Sequence, residues 1–289
     1  MSEETIDQRE LKNSIFAARQ AVENQGAISR ADAAKAELGI EIPRASVPLP
    51  SRGLVYPRSS PLHLQHEVDI KAMTTQEEDI LMSRALIKKG TVLNELIRAC
   101  LLQPGVQVSD LLSGDRNALM VAIRITGYGP EYRAQVKCPA CSELQDSEVD
   151  LSALEIKPLE LEPAVQGENL FDFTLPILKK KVQFRFLTGK EEEEILSVME
   201  ARKKKGLAND NVVSTRLLYS IVSVDGVTDK STISKVVSFL PARDSLLLRQ
   251  YIDKHEPGID MKYPFECKMC GHKEVVAVPM GPSFFWPSS

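Results

Sequence analysis

Two four-residue stretches constrain this chain more than any others: Cys138-Pro139-Ala140-Cys141 and Cys267-Lys268-Met269-Cys270. Each is a Cys-x-x-Cys turn with strand-like sequence on both sides. Two intervening residues let a tight turn aim both sulfurs at one point, with Zn–S distances of about 2.3 Å, and two such turns supply all four thiolates of a closed tetrahedral site. Gly271 follows the second pair, where the turn needs a positive φ that glycine adopts without a Cβ clash. The chain holds 5 cysteines, so Cys100 alone lies outside the pairs. It falls on the apolar helical stripe of Val92, Leu93, Leu96, Ile97 and Leu101 and reads as a small buried hydrophobe. Cys138, Cys141, Cys267 and Cys270 are therefore the candidate ligands of one structural Zn2+. His272 in place of a sulfur, or two half-sites completed by partner chains, are the alternatives within the same reading.

The flanks and the ligand count weigh against other chemistries. A redox Cys-x-x-Cys pair usually sits where a strand meets a helix. Here Glu148-Val149-Asp150-Leu151 and Val275-Val276-Ala277-Val278 follow the pairs with strand character. A catalytic zinc keeps an open position, and four sulfurs leave none. Structural disulfides need an oxidising compartment. The first residues, Met1-Ser2-Glu3-Glu4, lack the layout of a secretory signal, and the expected setting is a reducing cytoplasm.

Composition excludes further classes. The 36 basic and 40 acidic residues leave a net charge of −4, against a general nucleic-acid binder. No apolar run reaches the roughly 20 residues of a membrane span. The sequence has no phosphate-binding or dinucleotide glycine motif and no nucleophile elbow. His63 and His66, read as strand residues, face opposite sides at their spacing. The Glu191–Glu194 run reads as a solvated helix start. No catalytic residue, enzymatic activity or small-molecule substrate is expected.

Residues 1–48 read as a polar N-terminal arm and linker, with a weak stripe of Leu11, Ile15, Phe16 and Ala18 on the arm. Prolines 43, 48, 50, 57 and 61 mark 43–61 as extended. Thr74-Thr75-Gln76-Glu77-Glu78 carries a capping-box signature and starts a helix expected to run to Lys89 and stop at Gly90. A helix around Val92–Leu101 follows, then one bearing Leu119, Val121, Ile123 and Ile125. A strand over Tyr132–Lys137 delivers the first cysteine pair.

The second part repeats this order. Phe171–Leu175 and Val182–Phe186 alternate apolar and polar residues as a hairpin does. Leu187-Thr188 followed by acids and Ile195-Leu196 parallels Met73-Thr74 followed by acids and Ile80-Leu81. Both helices end in lysines and glycine, Lys88-Lys89-Gly90 and Lys203-Lys204-Lys205-Gly206. Arg243-Asp244-Ser245-Leu246 echoes Arg116-Asn117-Ala118-Leu119. The expected fold is α+β: two similar halves, 49–165 and 166–289, each a hairpin, about three helices and a strand with its cysteine knuckle, joined by a zinc-ribbon-like four-cysteine site. Phe284, Phe285 and Trp286 crowd the C-terminus, to pack beside the ribbon or to anchor in a partner.

Several of these stretches together carry a resemblance. Leu49-Pro50-Ser51-Arg52-Gly53, Glu77-Glu78-Asp79-Ile80-Leu81, Leu111–Leu119 with its Gly114-Asp115-Arg116-Asn117, Ile123–Gly129 with its Gly-Tyr-Gly, the first Cys-Pro-x-Cys and the ending Cys-x-x-Cys-Gly-His with Phe284-Phe285-Trp286-Pro287 resemble the T4-like bacteriophage baseplate family, over roughly residues 49–287. The resemblance implies a non-enzymatic hub component or hub assembly factor of a contractile tail. Its partners would be other tail or baseplate hub proteins. Its location would be the host cytoplasm during assembly and the virion tail baseplate. A zinc-ribbon nucleic-acid binder, using Lys262, Tyr263, Lys268 and Lys273, is the rival reading, and a thiol oxidoreductase is a second.

Overall fold

Short strand pairs and groups of helices alternate along this chain. The computed structural model describes residues 39, 41–204, 211–279 and 282–285. The chain divides into two units, Met1–Pro43 and Arg44–Ser289. The arm stripe at Leu11–Ala18, and Lys205, Gly206 and Trp286, lie outside the described residues.

Strand β1 (Arg44–Pro48) pairs antiparallel with β2 (Glu67–Lys71), with Val47 opposite Val68. Helices α1 (Thr75–Met82), α2 (Arg84–Lys89), α3 (Val92–Cys100) and α4 (Ser113–Tyr128) follow. Strands β3 (Glu131–Lys137) and β4 (Leu144–Asp150) form a hairpin around the first cysteine pair. After β5 (Ile156–Lys157), β6 (Phe171–Thr174) and β7 (Lys181–Phe184) form a second hairpin. Helices α5 (Gly189–Lys204) and α6 (Val212–Ser220) lead into β8 (Ile221–Val224), which pairs with β7. Helices α7 (Lys230–Ser238) and α8 (Ala242–His255), the short β9 (Gly258–Ile259), and the hairpin β10 (Lys262–Glu266) and β11 (Lys273–Ala277) complete the order. The mixed helix-and-strand class agrees with the sequence reading.

Several local solutions occur twice. After β2, Lys71 Nζ lies 2.7 Å from the buried Glu77, whose other oxygen accepts from the Thr74 N–H and hydroxyl. After β7, Arg185 lies 2.7 Å from Glu191, which accepts likewise from Thr188. Both are capping boxes closed by a cation three residues upstream. The turn after β1 is Leu49-Pro50-Ser51 and that after β6 is Leu175-Pro176-Ile177, with Leu49 and Leu175 both buried. A fully buried aspartate, the third residue of a helix, ties down each turn. Asp115 of α4 accepts from Ser51 N and the Tyr56 hydroxyl, at 2.8 and 2.6 Å. Asp244 of α8 accepts from Ile177 N and Leu178 N, at 2.8 and 3.0 Å. The match is therefore Asp115 with Asp244, two residues out of register from the sequence pairing of Arg116 with Arg243, which set Asn117 against Asp244. Charge pattern alone could not register two helices whose shared contact is a buried carboxylate.

Three expectations change. Residues 43–61 are not an extended linker: Arg44–Pro48 is strand, and Leu49, Val55, Tyr56 and Leu62 are core. The prolines there end a strand and shape turns. The helix expected to reach Lys89 breaks at Ser83, whose ψ of 103° is extended, and resumes as α2 before Gly90 caps it at φ 73°. His63 and His66 lie in the loop before β2, where His63 Nδ1 is 2.7 Å from the Tyr56 carbonyl. Of the two alternatives for the C-terminal aromatics, Phe284 and Phe285 take the first and pack back: both are buried, and the Phe284 ring meets Tyr132 edge-on. Arg124 of α4, 2% exposed, holds that segment by donating to the carbonyls of Phe284, Gly129 and Glu131.

One hydrophobic core runs through Arg44–Ser289, from Val47 and Ile70 to Phe184, Leu248 and Phe265. Strand β5 pairs with β9, and Leu112 bridges Thr188, so strand pairing connects residues far apart in sequence. No helix among the described residues is long and apolar enough to cross a membrane.

Candidate metal centre

The two cysteine hairpins are built alike. On β3, Tyr132, Ala134 and Val136 face inward and the alternation delivers Cys138 to the same side. On β10, Tyr263 and Phe265 do the same for Cys267. Each knuckle closes through two backbone bonds from its first cysteine. Cys138 N donates to Glu143 O and Ser142 N to Cys138 O, at 2.8 and 2.9 Å. Cys267 N donates to His272 O and Gly271 N to Cys267 O, both at 2.9 Å. Gly271 takes φ 69°, as its place predicts, and Ser142 takes φ 62° in the other knuckle. A serine in the left-handed region carries steric strain that the knuckle's bonds must offset.

The four sulfurs converge although residues 142–266 separate the pairs in sequence. Cys138 Sγ lies 3.8 Å from Cys270 Sγ and Cys141 Sγ 3.7 Å from Cys267 Sγ. All four ligand atoms lie within 4.8 Å of one another. A tetrahedron with metal–sulfur bonds of about 2.3 Å has edges of about 3.8 Å. The geometry and the all-sulfur donor set therefore fit one four-coordinate metal ion. Cys138 and Cys267 are buried, and Cys141 and Cys270 are exposed at the tip.

The electrostatics agree. Backbone N–H groups of Cys270 and Met269 aim at Cys267 and lower its thiol pKa to about 6. At Cys141 the Glu143 N–H favours the thiolate, but desolvation and the three neighbouring sulfurs outweigh it and push that thiol up to about 12. Four thiols at one point cannot all ionise against each other; a divalent cation among them removes that conflict. His272 is not drawn in: its Nε2 lies 3.1 Å from Glu274, and the four cysteines form the cluster without it.

One contributor escapes a search for ligands. Gln145 of β4 reaches across to the second knuckle, where its Nε2 donates to Glu266 O at 3.1 Å and its Oε1 accepts from Lys268 N at 3.0 Å. Its only sequence signal is its place four residues after Cys141. Of the residues a nucleic-acid ribbon would use, Lys262, Lys268 and Lys273 are exposed but the aromatic one is not. Tyr263 is only 7% exposed, and Lys273 is 3.0 Å from Glu266.

Compared with known proteins, the chain matches a family described as T4 bacteriophage base plate protein, over residues 55–286. No curated protein and no solved structure matches it.

Proposed function

The chain belongs to the family of T4 bacteriophage base plate proteins, and from that premise we propose that it is a non-enzymatic part of the baseplate hub of a contractile tail, as a hub component or as a factor in hub assembly. The family match supports the baseplate part of the reading, and the observation that carries its structural part is the convergence of Cys138, Cys141, Cys267 and Cys270 from hairpins far apart in the chain. We assign Zn2+ to that site as a structural ion. A full shell of protein sulfurs leaves no position for substrate, so the ion would supply folding energy and not Lewis-acid chemistry. The second cysteine of each pair is followed by a strand, not by the helix of a thiol oxidoreductase, which favours the metal over the redox reading.

We read the body as two repeats of one pattern, 49–165 and 166–289, behind an N-terminal arm over 1–48. The recurring features support this: the cation-closed capping boxes, the Leu-Pro turns held by Asp115 and Asp244, and the two matching knuckles. The zinc then clasps one repeat to the other. Partners would be other baseplate proteins, met in the host cytoplasm and in the tail. Phe239, 84% exposed, is an apolar side chain of the kind such contacts bury.

Co-purification from infected cells tests the role. Tail or hub proteins should accompany the tagged full-length chain, and a knockout should leave tails unassembled. Normal tails in the knockout, with no tail protein recovered, would reject the proposal.

A further inference from the structure

We propose that Gln145 is the positioning residue that registers the second knuckle against the first, so that the four sulfurs stand ready to capture their ion. The inference rests on the metal reading of the four-cysteine site and extends it. Gln145 bonds to the two backbone groups on either side of Cys267, the Glu266 carbonyl and the Lys268 N–H. Doing both requires a donor and an acceptor on one planar group, which among side chains of this length only the glutamine amide offers. It therefore acts as a peptide-like bridge laid across from β4.

The second hairpin does not return this bridge. Four residues after Cys270 stands Glu274, as Gln145 stands four after Cys141. Ionised, its carboxylate only accepts. The residue in the first knuckle that matches Lys268 is Pro139, which has no N–H to give. Glu274 turns instead to His272, at 3.1 Å. Registration between the knuckles thus runs one way, through Gln145. Residues that orient ligands from outside the coordination shell typically change metal affinity by about 10–100-fold when lost.

The test uses the full-length chain, stripped of metal under reducing conditions and titrated with Co2+ in competition with a chelator. Wild type should bind one ion per chain with a tetrahedral thiolate–cobalt spectrum. Gln145→Ala, and Gln145→Glu as a near-isostere that cannot donate to the Glu266 carbonyl, should bind about 10–100-fold more weakly while keeping that spectrum and the wild-type far-ultraviolet dichroism. Gln135→Ala, an exposed change on β3, should leave affinity unaltered. If the alanine variant does not fold, the glutamate variant decides. Wild-type affinity in the folded Gln145 variants overturns this inference and leaves the site standing. Absence of a thiolate–cobalt band in wild type overturns the site and this inference with it.

Discussion

Glu256 closes α8 and sits beside a cavity lined by Leu187, Val213, Leu217, Arg216 and Ile252. Burial raises its pKa from the usual 4.5 to about 7; the nearby Arg216 opposes that shift, and Glu192 and Asp253 reinforce it. A carboxyl with a raised native pKa binds more protons folded than unfolded between those two values. Stability must then fall as pH rises through that window and level off above it, a loss on the order of 3 kcal/mol. Glu256→Gln removes the loss. Measured by urea unfolding, the variant should gain about 2–3 kcal/mol on wild type between pH 5 and pH 7.5. A constant difference across that range would refute the assignment. Nothing in the sequence marks Glu256, because a charged helix end reads as solvated until the cavity that α6 and α8 line together is known. The four-cysteine cluster was legible for the opposite reason: its candidacy as a metal site depends on spacing within a turn, which sequence states directly.

At the scale of elements, the start of α4 is fixed by one backbone crossing. A Cβ on Gly114 would lie 1.8 Å from the Pro257 carbonyl oxygen and 2.9 Å from Gly258 Cα, and backbone there has no room to yield. Gly114→Ala should cost about 3 kcal/mol through the forced separation of α4 from β9. Gly127, near the other end of α4, is the control. Its added Cβ meets the Met73 side chain, with only the flexible Cε end too close, at 2.8 Å, so Gly127→Ala should lie within about 1 kcal/mol of wild type. Equal urea midpoints for the two variants would show that the crossing is not tight. Amphipathic periodicity announced most of these elements, including α3, α4 and the β6–β7 hairpin. It missed the break at Ser83 because α1 and α2 expose most of their residues and so carry little pattern. It missed β1 because the prolines around it outweighed the alternation of Ala45 and Val47. The recurrence of Leu-Pro before each buried-aspartate turn was present in the letters. It gains meaning only once Asp115 and Asp244 are seen to hold equivalent turns.

For the molecule as a whole, the four-cysteine cluster joins two hairpins of two strands each, and a hairpin of that size is marginal alone in water. Each has one inward row, Tyr132, Ala134 and Val136 or Tyr263 and Phe265, while their other faces are largely exposed. Metal bound at a closed thiolate site contributes folding free energy, up to on the order of 10 kcal/mol. Chelation of the full-length protein should therefore lower its thermal midpoint and speed hydrogen exchange first in β3–β4 and β10–β11, while α4 and α8 stay protected. The form of the energetics separates a shared ion from two half-sites completed elsewhere. With one ion held by both pairs, Cys138→Ser alone already removes most of the clasp, and adding Cys267→Ser costs little more. Two independent half-sites would give additive losses instead. A double-mutant cycle in urea, run with equimolar zinc, reads this directly: strong non-additivity is expected, and additive costs would mean that the hairpins are held without a common ion.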